Sequence, residues 1–200
     1  MKDIWYADNR DLIKWAVLLR LARKYNAKKI LQIAYYRESD FKTIQIDGVD
    51  FSIPNEIIDH FRRTKNIENL KSEVSFHVFD SIVEDRKTYI SKSLQFISQF
   101  QNDKSIVFLD PDTGLEPKRP GLQHVLESEA KLIYDHLIDG DIFVFYQHQT
   151  NRKGKAWIKP KKEQLARALE IDPENLKMAY GPLIARDVAF YYCTKPQQQL

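Results

Sequence analysis

Ser105-Ile106-Val107-Phe108-Leu109-Asp110-Pro111-Asp112-Thr113-Gly114 decides the reading of this chain. Four consecutive apolar residues, two of them β-branched, end abruptly at a turn. That pattern predicts a short strand buried on both faces. Pro111 fixes its own φ and pushes Asp110 toward extended geometry, and Thr113-Gly114 permits a sharp turn. Two carboxylates, Asp110 and Asp112, therefore sit two residues apart at the end of a buried strand.

Similar units lie on either side. Asp8 is a candidate cap for a helix over 9–25, with Leu12, Trp15, Ala16, Leu19 and Ala22 as its apolar face. Residues 30–36 (ILQIAYY) read as a buried strand, and 41–53 as a hairpin or loop insertion around Gly48. Pro54-Asn55 opens a short helix. A strand over 74–79 ends at Asp80, a helix over 85–100 follows, and another covers about 122–137. Gly140-Asp141 turns the chain into a strand over 142–146. A helix from about Pro160 to Glu170 precedes two late strands, near 176–180 and 187–193. Strands alternating with helices of this length predict a mainly parallel sheet. The short link at Gly181-Pro182 predicts an antiparallel pair at the C-terminal edge. The expected fold is α/β: a Rossmann-like three-layer sandwich over 1–200.

Composition narrows the function. The chain has 200 residues, enough to bury a full core without staples. Its six glycines include no G-x-G pair and none that starts a Walker A loop, which excludes the commonest phosphate-binding turns. After the first strand no glycine occurs until 48. Cys193 is the sole cysteine, so an intrachain disulfide is impossible. No window approaches a membrane span and the start lacks an apolar leader, so a cytoplasmic protein without membrane contact is expected. Oligomeric state is not legible.

In open α/β sheets ligands bind beyond the carboxyl ends of the strands. That rule selects Tyr36-Arg37-Glu38, Asp80, the Asp110–Glu116 turn, and Gln147-His148-Gln149. Asp110 and Asp112 can accept a proton, orient an amine, or hold Mg²⁺ or Mn²⁺. His148 can act as acid or base. Arg10 and Lys14, four apart on one helix, share a face and can meet an anion. Residues 152–167 carry seven basic side chains against Glu163. With Trp157 inside the run, Lys153 and Lys155 suit single-stranded nucleic acid. Each signal has a plain counterpart: a capped turn, a hydrogen-bonded histidine, a solvated lysine face.

Tyr-Ala-Asp-Asn-Arg-Asp-Leu-Ile-Lys-Trp at 6–15, Phe-Leu-Asp-Pro-Asp-Thr-Gly-Leu-Glu-Pro at 108–117 and Tyr-Gln-His at 146–148 together resemble a bacterial and phage family, to which no activity attaches. More distantly, the order of elements resembles the class I S-adenosylmethionine-dependent methyltransferases. Asp110-Pro111 matches the start of the Asp/Asn-Pro-Pro-aromatic motif of amino-methyltransferases, whose acid or amide orients the target amine. The resemblance implies a divergent methyltransferase-like enzyme, with nucleic acid as a candidate substrate. Asp110, Asp112 and His148 would carry the chemistry. Tyr36, Arg37, Glu38 and Asp80 would hold S-adenosylmethionine, and Arg10, Lys14, Lys153, Lys155 and Trp157 the substrate. One alternative is a metal-dependent nuclease or phosphodiesterase using Asp110, Asp112 and His148, with Asp110 and Asp112 on the metal. Pro111-Asp112 with Glu116-Pro117-Lys118 superficially resembles the PD-(D/E)xK pattern. The other alternative is a non-catalytic binding module that holds a nucleotide or supports an interface.

Overall fold

The structure is a computed structural model that describes residues 8–37, 43–61, 63–149 and 156–197. Its frame is a six-stranded sheet built from β1 (Lys29–Ile33), β4 (Ser75–Phe79), β5 (Ser105–Leu109), β8 (Ile142–His148), β9 (Lys177–Ala179) and β10 (Val188–Thr194). The strand order is β4-β1-β5-β8-β10-β9. β4, β1, β5 and β8 are mutually parallel, and β10 runs antiparallel to both its neighbours. The expected antiparallel edge pair is thus β10 with β9, and β9 takes the outermost place. β1 has its next sheet strand, β4, on one side and β5 on the other. The direction of winding reverses between β1 and β5, and that switch point is where a ligand crevice is expected.

Alternation along β5 supplies both layers of the core. Ile106 and Phe108 face α1 (Asn9–Tyr25), packing with Leu18, Leu21 and Ala22. Val107 and Leu109 face α3 (Arg86–Ser98), α4 (Glu127–His136) and α5 (Ile158–Leu169), among Ile97, Ile133 and Leu165. The crossover from β1 to β4 contains a hairpin, β2 (Thr43–Ile46) with β3 (Val49–Ser52), then α2 (Asn55–Phe61) and a 3-10 helix over Thr64–Asn69.

Two expectations change in packing. α1 has the expected bounds, and Asp8 caps it by accepting from the backbone N–H groups of Arg10 and Asp11. Its buried face, however, is Asp11, Ile13, Lys14, Leu18, Leu21 and Ala22, whereas Leu12 is exposed. Apolar periodicity points elsewhere because two charged residues belong to the buried stripe. The helix expected from 122 starts at Glu127. Before it, β6 (Gly114–Leu115) and β7 (His124–Val125) pair as a two-stranded parallel unit that uses the backbone groups of 124–125.

Candidate functional site

At the exit of β5, the Asp110 N–H donates to the Ile33 carbonyl, tying the strand end to β1. Its carboxylate Oδ2 accepts from Lys14 Nζ at 2.9 Å and from Gln32 Nε2 at 2.6 Å. Lys14 Nζ also donates to Asp11 Oδ1 at 2.6 Å. All four side chains are buried, with Asp110 1% and Lys14 4% exposed. Burial alone would push the lysine toward neutrality, but Asp110 and Asp11 outweigh it and hold the ammonium charged. The Nζ lies 5.6 Å from the Tyr146 ring centroid, and burial raises the Tyr146 hydroxyl, with Asp110 adding to the effect. Asp110 and Lys14, read from sequence as a reacting group and a ligand contact, are therefore each other's partners. Lys14 does not share an exposed face with Arg10, because one helical turn separates the core from the rim.

The turn after Asp110 is held by Gln147, which the sequence places at a strand end but to which it assigns no role. Gln147, fully buried in β8, accepts from the Leu115 N–H at 2.9 Å and donates to the Thr113 carbonyl at 3.2 Å. The His148 N–H donates to the same carbonyl at 3.1 Å. Gly114 has φ +119°, and a Cβ there would lie 2.3 Å from Gln147 Nε2. Glycine serves here for close approach as well as for its backbone angle. A glutamine between Tyr146 and His148 in an otherwise apolar strand was the available signal. Asp112, beyond the proline, takes a different partner from Asp110: it pairs with Arg37 from the exit of β1. Arg37 Nε is buried, and among the described residues nothing accepts its hydrogen. The Arg37–Asp112 pair thus bridges the switch point.

His148 ends β8, and its Nε2 lies 3.1 Å from Asp187 Oδ2. The same oxygen receives Arg10 Nε at 3.2 Å, and Arg10 also reaches Asp8 at 3.1 Å. Burial alone would raise the Asp187 carboxyl, but the Arg10 hydrogen bond and charge bring it below its ordinary range. Asp187 precedes β10, and nothing in its local sequence marks it. The structure brings Asp110 and Lys14 together in the core, Asp112 and Arg37 across the switch point, and His148 and Arg10 around Asp187.

At the exit of β1, Ala34, Tyr35 and Tyr36 are all buried. Tyr35 has φ +40°, a left-handed conformation unusual for a bulky side chain. Its N–H donates to the Tyr89 hydroxyl at 2.8 Å, and its own hydroxyl donates to Glu129 at 3.3 Å. Arg86 neutralises Glu129 at 2.8 Å. The chain beyond β1 stays beside the exit of β4: Ala34 N–H donates to the Phe79 carbonyl, Val83 N–H to the Tyr36 carbonyl, and Tyr36 bridges Ile82. Asp80 accepts from Thr64 Oγ1 at 3.0 Å and lies 3.3 Å from Lys65 Nζ. No glycine lies among these residues; the exit of β1 is lined by buried tyrosines and by the Arg37–Asp112 pair. Glu38 lies outside the described residues.

The basic stretch divides in the same way. Lys153 and Lys155 lie outside the described residues. Trp157 is buried in the core under α5, so its ring is not offered to a base, a correction to the sequence reading. Lys161 turns inward to the Leu115 and Glu116 carbonyls, each at 3.0 Å, and burial lowers its pKa. Lys159 and Arg167 remain exposed. Among the described residues, no group of three or more His, Cys, Asp or Glu side chains is placed to hold a metal ion. Among them, too, no helix is long and apolar enough to cross a membrane.

Comparison of the chain with protein-family models finds no match, and comparison with curated proteins finds none.

Proposed function

We propose that this chain is a binding module on a methyltransferase-like frame, taking the phosphate of a nucleotide at the switch point between β1 and β5. One observation carries the reading: Arg37 reaches the switch point with one edge of its guanidinium on Asp112 and a buried Nε–H that has no acceptor among the described residues. A buried donor left unmade is costly, and an anionic oxygen would satisfy it. Asp110 supports the same view. In an amino-methyltransferase this carboxylate would receive the target amine, whereas here it receives the chain's own Lys14 amine. The test is calorimetry and thermal shift with ATP, GTP, S-adenosylmethionine and inorganic phosphate. Nucleotide binding that Arg37→Ala abolishes is expected, with unchanged folding by circular dichroism. Absence of heat and shift with every nucleotide overturns the proposal.

A divergent methyltransferase-like enzyme is the second reading, favoured by the antiparallel β10 beside the parallel strands and by Asp110 at the centre of the sheet. Transfer of a labelled methyl group from S-adenosylmethionine to DNA or RNA, lost in Asp110→Asn, would establish it in place of the first. The nuclease reading draws less support, because Asp110 and Asp112 are committed to different cations.

A further inference from the structure

The β2–β3 hairpin takes no part in the function proposed above. Its register pairs Ile44 with Phe51 and Ile46 with Val49, so alternation puts these four side chains on one face. Thr43, Gln45, Asp50 and Ser52 form the other face. Asp47 and Gly48, both at positive φ, make the tight turn that a two-residue hairpin needs. The apolar four are 45–56% exposed. A two-stranded hairpin is marginal by itself in water, and a contiguous apolar face with a polar rim marks a contact surface. Residues 43–52 contain Asp47 and Asp50 and no basic residue, which opposes nucleic acid and favours a partner with a cationic rim.

The same chain carries such a surface. A groove of about 580 Å³ runs between α1 and the edge strand β9. Ala16, Val17 and Ala179 supply apolar floor, and Arg20, Arg23 and Lys24 line it with positive charge. Among the described residues Arg23 takes Glu73, while Arg20 and Lys24 form no ion pair. We propose that the hairpin of one copy docks in the α1–β9 groove of a second copy. Ile44, Ile46, Val49 and Phe51 meet the apolar floor, and Asp47, at the turn where the two faces join, meets Arg20 and Lys24. The contact is head-to-tail, so each bound copy keeps one free hairpin or one free groove for the next.

Sedimentation velocity over a range of concentrations tests this. The wild-type chain is expected to gain mass with concentration, and added salt to oppose the gain. Ile46→Asp/Phe51→Asp and Arg20→Glu/Lys24→Glu alter exposed positions and are each expected to remain monomeric. An equimolar mixture of the two variants retains one intact hairpin and one intact groove. It is expected to form a complex of two copies and grow no further. A monomeric wild type at all concentrations, or a mixture that stays monomeric, overturns the proposal. So does association by the groove variant alone, which would instead indicate hairpin-to-hairpin contact.

Discussion

Lys14 and Arg10 leave α1 one turn apart, and each binds an aspartate at a carboxyl-end rim position. Lys14 meets Asp110 with both side chains at most 5% exposed, whereas Arg10 meets Asp187 with 38% and 25% exposed. The sequence makes them look equivalent. Burial makes them differ, because in the core a lost partner leaves an uncompensated charge, while at the rim water replaces it. The inner cluster holds the frame together and the outer one is free to respond to a ligand or to pH.

Breaking the inner pair should have the largest effect. Lys14→Met leaves Asp110 and Asp11 buried without their cation and is expected to cost about 3–5 kcal/mol in urea unfolding. Adding Asp11→Asn and Asp110→Asn to the same chain should recover most of that loss. A triple variant no more stable than Lys14→Met would show that the lysine acts through packing rather than charge. Lys14 holds its proton more firmly folded than unfolded. Its contribution is therefore fully present below the ordinary lysine value of about 10.4 and lost as pH rises beyond it through the folded value. Wild type and Lys14→Met should accordingly stay as far apart at pH 9 as at pH 7.

The turn that joins the two regions comes next. Gly114→Ala puts a methyl group against Gln147 at a positive φ and is expected to cost about 2–3 kcal/mol. A loss below about half a kcal/mol, comparable to a neutral surface change, would mean that Gln147 yields and does not hold the turn.

The outer pair should give the smallest effect. Arg10→Ala and Asp187→Asn are each expected to cost about 0.5–1 kcal/mol, and less in high salt. Asp187 gives up its proton more readily folded than unfolded. The contribution of the pair is therefore present above about pH 4 and lost as pH falls through the folded value. Wild type and Asp187→Asn should converge in acid, in contrast to the alkaline range that governs Lys14. A difference that persists unchanged at pH 2 would remove the ion pair as its cause.

Much of the frame was legible because its signals are local. The run Ser105–Leu109, the cap at Asp8 and the glycine at 48 each depend on neighbours a few residues away. The bounds of α1 follow from them, as do those of β5, while residues 41–53 read as a hairpin or a loop insertion and the structure decides for the hairpin. The rim was legible as a set of strand ends, since a buried apolar strand must stop where polar residues begin. The partners within the rim were not legible: Lys14 with Asp110 spans 96 residues, and Arg10 with Asp187 spans 177. Trp157 shows the limit from the other side. Flanked by lysines it reads as a surface aromatic, yet the packing of α5 draws it into the core.

The sequence by itself determined that strands and helices alternate, that one strand is buried on both faces, and that Asp110, Asp112 and His148 stand at strand ends. It did so through hydrophobic period and turn chemistry, which act over a few residues. Tertiary structure alone decided which carboxylate meets which cation, which face of α1 is inside, and where the antiparallel strand enters the sheet. Those choices depend on charge burial and on contacts between distant segments, and both arise only when the layers close.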